Sequence, residues 1–217
     1  MPFDLEIEAL LASGVRGDDQ VAAYRGKLGH IHQDFIREMK PARDALTTAK
    51  SLFDWLWVKK PARYELHGFY RVSEVIDAHL NKEGSAVGNC LGLTLLYACL
   101  LRRMGIDPGT VYLENAFGTG PHVLTILRTK DFTIDIENIL REGFDYKGHL
   151  SDPSRVIWGN RELVADIYYS QGNEGYGKGD YSGALKDYDR AISLNPLHER
   201  AQLAKVILLD KMRVNER

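Results

Sequence analysis

The stretch AVGNCLGLTLLYACLLRRMGIDPG, residues 86–109, decides the fold of the chain. From Leu91 to Leu101 almost every residue is apolar, so the segment reads as a helix buried on nearly all sides. Its ends are marked. Asn89 is a suitable N-cap, Arg102 and Arg103 suit the negative end of the helix dipole, Gly105 is placed for C′, and Pro108 prevents continuation. The helix therefore begins at Cys90, where a thiol meets unsatisfied amide groups and the positive end of the dipole, the setting that makes a cysteine nucleophilic. Gly88 is read as leaving room beside that thiol for a substrate backbone. Cys99, nine residues on, points half a turn away at about 100° per residue. The two cysteines can neither pair nor share a metal, and Cys99 reads as a small buried hydrophobe.

Upstream of this helix, LEIEALLA, DDQVAAYRGKLGHIHQDFIREM, ARDALTTAKSLFDWLWV and VSEVIDAHLN carry apolar residues at three- and four-residue spacing, with Pro41 and Pro61 as breaks. The chain opens helically. Downstream the period changes. TVYLENA, HVLTILRT and FTIDIEN are rich in β-branched and aromatic residues, alternate, and are separated by Gly118, Gly120, Pro121 and the polar TKD, which predicts three short antiparallel strands. A turn-rich stretch, GFDYKGHLSDPSRVIWGN, reads as a junction near residue 160, and from Ala165 the pattern is helical to the end. The fold class expected is α+β, with one domain over 1–160 and a helical tail over 161–217.

With 217 residues, 44% of them apolar and 27% charged, the chain can bury a core without staples. A formal charge of −2 supplies no global field for nucleic acid or anionic lipid, so neither is an expected partner. Two cysteines and the lack of any long apolar run fit a cytoplasmic protein with reduced thiols.

A cysteine nucleophile needs a base, and the base needs an orienting group. His122 opens the strand HVLTILRT, and a hairpin turn centred between 128 and 129 would set it opposite Asp135. Alternation puts Thr133, Asp135 and Glu137 on one face of that strand and Phe132, Ile134 and Ile136 on the other. Cys90, His122 and Asp135 are therefore the candidate catalytic residues. Asn89 and Tyr70 are weaker candidates for lining the site or holding an oxyanion, beside the Cys90 amide. AFGTGPH lacks the Lys-Ser/Thr of a phosphate loop and reads as the loop that delivers His122. His67, His79, His149 and His198 lack ligand spacing, so neither a metal nor any other cofactor is expected.

GNCLGLTLLYACLLRRMGI followed by PHVLTIL and TIDIEN resembles the transglutaminase-like superfamily of papain-type thiol enzymes, with 32 residues from Cys90 to His122 and 13 from His122 to Asp135. The resemblance runs from about Ser51 to Asn138. It implies a papain/transglutaminase-like core, a central helix packed on a small antiparallel sheet, with Cys90 as nucleophile, His122 as base and Asp135 as orienting acid. Many members carry Ala-Trp after the histidine and Pro-Thr after the aspartate, where this chain has Val123-Leu124 and Ile136-Glu137.

The tail adds a repeat signal. ADIYYSQGNEGYGKGDYSGALKDYDRAISLNPLH, from Ala165, has the 34-residue length of a tetratricopeptide (TPR) unit, with Tyr168, Gly172, Tyr176, Ala184, Tyr188, Ala191 and Pro196 at or near its pattern positions and Gly175 as the departure. ERAQLAKVILLDKM reads as a helix capping that pair, because a lone unit cannot bury its apolar faces. The same two-part layout is similar to a prokaryotic subgroup of the family.

The expected function is thus thiol acyl transfer, as an amide or peptide hydrolase or a transglutaminase-like enzyme, on a protein or peptide substrate. Residues 165–217 are expected to hold a protein partner or to self-associate. The rival expectation is a catalytically idle scaffold that works through those helices.

Overall fold

The computed structural model describes residues 3–41, 44–129 and 132–215. The chain is mixed α and β, with eight helices and one four-stranded antiparallel sheet among the described residues. It divides into two compact units, Asp4–Trp158 and the residues from Gly159 onward, the latter joined by Phe3. No described helix is long and apolar enough to cross a membrane.

In the first unit, helices α1 (Leu5–Ala12), α2 (Asp18–Met39), α3 (Ala45–Lys59) and α4 (Val72–Leu80) precede the central helix α5 (Cys90–Arg103). Local chemistry sets their limits. Asp4 caps α1 by accepting from the amides of Glu6 and Ile7, Asp44 caps α3 through the Thr47 amide, and α2 stops before Pro41 with Lys40 in a left-handed conformation. Every residue of α5 from Leu91 to Leu101 is buried. Three side chains fix this helix on different sides. Tyr97 Oη donates to the Ala49 carbonyl of α3 at 2.7 Å, Thr94 Oγ1 to the Val123 carbonyl at 3.3 Å, and Arg103 holds Glu6 of α1 at 2.6 and 2.7 Å. Trp55 and Trp57 are both buried in the helical layer.

The sheet runs in the order β3-β2-β1-β4, with β1 Gly109–Leu113, β2 His122–Arg128, β3 Thr133–Ile136 and β4 Val156–Trp158. Strand β4 comes from the stretch read in the sequence as a junction. Three residues are too few for alternation to register, and its place is held by pairing with β1 and by Trp158 stacked on Tyr112 at 4.2 Å. The β2–β3 register also differs from expectation. Asp135 pairs with Ile126, four residues past His122, and the turn that joins the strands includes 130 and 131, which lie outside the described residues.

The second unit contains α6 (Asn160–Lys178), α7 (Tyr181–Leu194) and α8 (Glu199–Asn215). Helix α6 starts five residues before Ala165, where Glu162 reaches back to the Gly159 amide at 2.9 Å. Gly179, at φ +81°, turns the chain, and Asp180 caps α7 through the Gly183 amide. Gly172 is required for the fit of α6 on α7, since a Cβ there would lie 2.4 Å from the Tyr188 ring. Tyr188 in turn donates to Asn173 at 2.9 Å.

Candidate active site

Asn89 accepts a hydrogen bond from the Gly92 amide at 3.1 Å and so caps α5, which leaves Cys90 as its first residue with a partly exposed side chain. No described group accepts from the Cys90 amide. The space beside it is shaped by a close crossing. The Phe69 carbonyl accepts from the Asn89 amide at 3.0 Å, and a Cβ on Gly92 or Gly88 would stand 2.3 or 2.7 Å from that carbonyl oxygen. This corrects the sequence reading of Gly88: the room it leaves is filled by the chain's own backbone, not by substrate.

The Cys90 thiol lies near enough to the His122 imidazole to favour its charged form. His122 Nε2 is bonded to Glu137 Oε2 at 2.8 Å, which leaves Nδ1 as the ring nitrogen not engaged by Glu137. Both side chains are buried, at 4% and 0% exposure. Burial opposes the imidazolium, yet the neighbouring Cys90 thiol and the bonded Glu137 carboxylate outweigh it and push the His122 pKa up to about 10. Burial likewise raises the Glu137 carboxyl, and the neighbouring imidazoles of His122 and His149 reverse that and hold it below its ordinary value.

The acid that meets His122 is Glu137, not Asp135. Asp135 lies on the same strand face two residues earlier, but both its oxygens are taken by Arg155 at 2.7 Å each, a bidentate pair at a fully buried carboxylate. Glu137 is positioned through its neighbour. Asn138 Nδ2 donates to Thr94 Oγ1 of α5 at 3.1 Å and to Thr125 Oγ1 of β2 at 2.9 Å, which ties the end of β3 to the other two elements of the site.

A second imidazole arrives from the stretch that the sequence marked as a junction. The chain after β3 folds back on it, with the Glu137 amide donating to the Gly143 carbonyl at 2.8 Å and the Tyr146 amide to the Asp135 carbonyl at 2.9 Å. This return carries His149 to 3.4 Å from Glu137 Oε2. Phe117, in the loop before β2 and in a left-handed conformation at φ +55°, sets its ring edge-on to His122 at 5.5 Å and to His149 at 4.8 Å. His122, Glu137 and His149 form a group whose donor atoms all lie within 4.8 Å of one another, a set able to hold a metal ion and one that the sequence reading, expecting no metal, did not find.

Of the weaker candidates, Asn89 uses its side-chain oxygen for the cap, and Tyr70 carries the Arg71 guanidinium over its ring at 4.7 Å. A different tyrosine belongs to the site. Tyr64 forms a parallel bridge with Gly88, and burial, followed by the charges of Cys90 and Glu137, pushes its hydroxyl pKa up and keeps it a proton donor. Cys99 is buried, and desolvation pushes its thiol up, out of reach of thiolate chemistry.

No protein-family model, curated protein or solved structure matches the chain. The functional reading rests on this geometry.

Proposed function

We propose that the chain is a thiol acyl-transfer enzyme with Cys90 as nucleophile, His122 as base and Glu137 as orienting acid. The observation that carries the reading is a buried imidazole bonded to a buried carboxylate at 2.8 Å and set beside a thiol at a helix start that favours its charged form. Glu137 fixes the tautomer with the proton on Nε2, so Nδ1 is free to take the thiol proton as Cys90 attacks. Cys90 Sγ attacks an amide or ester carbonyl, and the negative oxygen that forms is met by the Cys90 amide and the Tyr64 hydroxyl. Collapse of this intermediate breaks the bond to the leaving amine or alcohol, which receives the proton from His122 Nδ1, and leaves a thioester. Water or an amine then gives its proton to His122, attacks the thioester and restores the thiolate.

The core is read as papain/transglutaminase-like, with α5 as the central helix, and α6–α8 as one TPR pair with its cap. A protein or peptide is the substrate class favoured. Phe69, whose carbonyl abuts the start of α5, also lines a groove of about 610 Å³ with Glu74, Asp77, Ala78, Ser85 and Ala86. Two free cysteines fit a reducing, cytoplasmic setting. The test is acylation by a p-nitrophenyl ester. A burst of one p-nitrophenolate per chain, with the acyl group on Cys90 by mass spectrometry and lost in His122→Ala, supports the reading, and acylation spread over lysines or unaffected by the substitution refutes it.

The scaffold reading keeps one supporting observation. Leu203, Val206 and Ile207 stand exposed on α8, and Leu203 and Ile207 line a groove of about 410 Å³ with Tyr169, Tyr176 and Tyr188, a surface suited to a partner peptide or a second copy of the chain. Cys90→Ala would then leave all partner binding intact.

A further inference from the structure

The thiol mechanism uses one face of Glu137 and leaves His149 unexplained. His149 is 8% exposed, its Nε2 makes no hydrogen bond, and it lies 3.4 Å from Glu137 Oε2, the oxygen that His122 Nε2 already holds at 2.8 Å. A buried ring nitrogen without a partner is costly, and native structures seldom keep one without a reason. Here the reason is visible in what surrounds it. Three donor atoms, two imidazole nitrogens and one carboxylate oxygen, converge within 4.8 Å, and each comes from a residue that is buried.

The geometry points to a binding site for a divalent transition ion of the zinc class, held by His122 Nε2, Glu137 Oε2 and His149 Nε2. Two nitrogens and one oxygen form the donor set that zinc accepts with a fourth position open, whereas calcium and magnesium require mainly oxygen. Small movements suffice, because donors around such an ion stand only about 3 to 3.5 Å apart when each bond is about 2.0 to 2.2 Å. Cys90 is not among the donors that converge here. Phe117 is edge-on to both imidazoles and 47% exposed, so it forms the outer wall through which an ion would pass.

A regulatory consequence rests on the thiol reading above. An ion on His122 Nε2 replaces the bond to Glu137 and leaves the ring's one proton on Nδ1, so no ring nitrogen remains to take a proton from Cys90. The metal-loaded protein would lack its base, and chelation would restore it.

The test uses Zn²⁺ alone on the full chain after dialysis against a chelator. Calorimetry should find one ion per chain with a dissociation constant in the micromolar range or tighter, weakened at least tenfold in His149→Ala and in Glu137→Gln and retained in Cys90→Ser. Zinc should raise the melting temperature of the parent and of Cys90→Ser, with no such shift in either ligand variant. His149→Gln replaces His149→Ala if the latter fails to fold. No binding to the parent, or binding unchanged by both ligand substitutions, overturns the site. In parallel, zinc should slow iodoacetamide labelling of Cys90 in the parent, and labelling unaffected by saturating zinc overturns the regulatory role. Slow labelling in the chelated parent would refute the thiol reading while leaving the zinc titration to decide the site.

Discussion

Glu137 Oε2 accepts from His122 Nε2 at 2.8 Å with both side chains out of solvent, and this bond leaves Nδ1 as the ring nitrogen not engaged by Glu137. The neighbouring carboxylate of Asp135 serves a different purpose. The two acids of TIDIEN are two residues apart on one strand face, and only one reaches the imidazole.

That division of labour can be checked by paired substitutions. Asp135→Asn removes the charge that Arg155 engages through both nitrogens, and breaking such a buried pair should cost about 3 kcal/mol in urea unfolding. Native Asp135→Asn should keep the labelling rate of Cys90. Glu137→Gln should do the reverse, lowering that rate about tenfold.

Asn138 should matter to both stability and the site. Asn138→Leu leaves the buried hydroxyls of Thr94 and Thr125 without their donor, which should cost about 1 to 3 kcal/mol in urea unfolding. Slower Cys90 labelling in the folded variant should accompany it, since the same bonds seat the residue next to Glu137.

Gly92→Ala tests the crossing at the helix start. A Cβ would stand 2.3 Å from the Phe69 carbonyl oxygen and 2.6 Å from Val75, so backbone has to move. Overpacking of this kind costs about 1 to 3 kcal/mol. Gly26→Ala, where nothing lies within 4 Å of the added carbon, should not destabilise the protein.

His79 supplies a pH dependence away from the site. It is buried with its Nδ1 unpartnered, and desolvation, followed by the charges of Arg63, Lys60 and Lys59, lowers its pKa to about 3. Between its ordinary value of about 6.5 and 3 the unfolded chain binds the proton and the folded one does not, so stability rises with pH across that window. The contribution is complete above 6.5 and is lost as pH falls, by about 2 kcal/mol between pH 6.5 and 5. His79→Leu should remove that slope, seen as the difference between parent and variant urea stabilities at the two pH values.

The helix that opens at Cys90 was legible because all its signals are local. An N-cap, an apolar run, two arginines and Gly105, which takes φ +74°, each act within a turn of their own position. The choice between Asp135 and Glu137 was not local. Alternation put both on one face, and what separates them is the pairing of Asp135 with Ile126 and the capture of Asp135 by Arg155, 20 residues further on. His149 carried no signal in its spacing, because its position comes from the chain doubling back at Gly143, where a Cβ would lie 2.0 Å from the Glu137 carbonyl oxygen. Gly143 beside a strand end was the one trace of that return in the sequence.

The assembled triad is tested most directly by the iodoacetamide labelling rate of Cys90, located by mass spectrometry, at about pH 6 in the presence of a chelator. An ordinary thiol of pKa about 8.5 is less than about 1% ionised there. Cys90 should label rapidly in the parent, about tenfold more slowly in Glu137→Gln and at the rate of an ordinary thiol in His122→Ala. A parent that labels no faster than an ordinary thiol, and does so equally in both variants, would contradict a Cys90–His122–Glu137 thiol site.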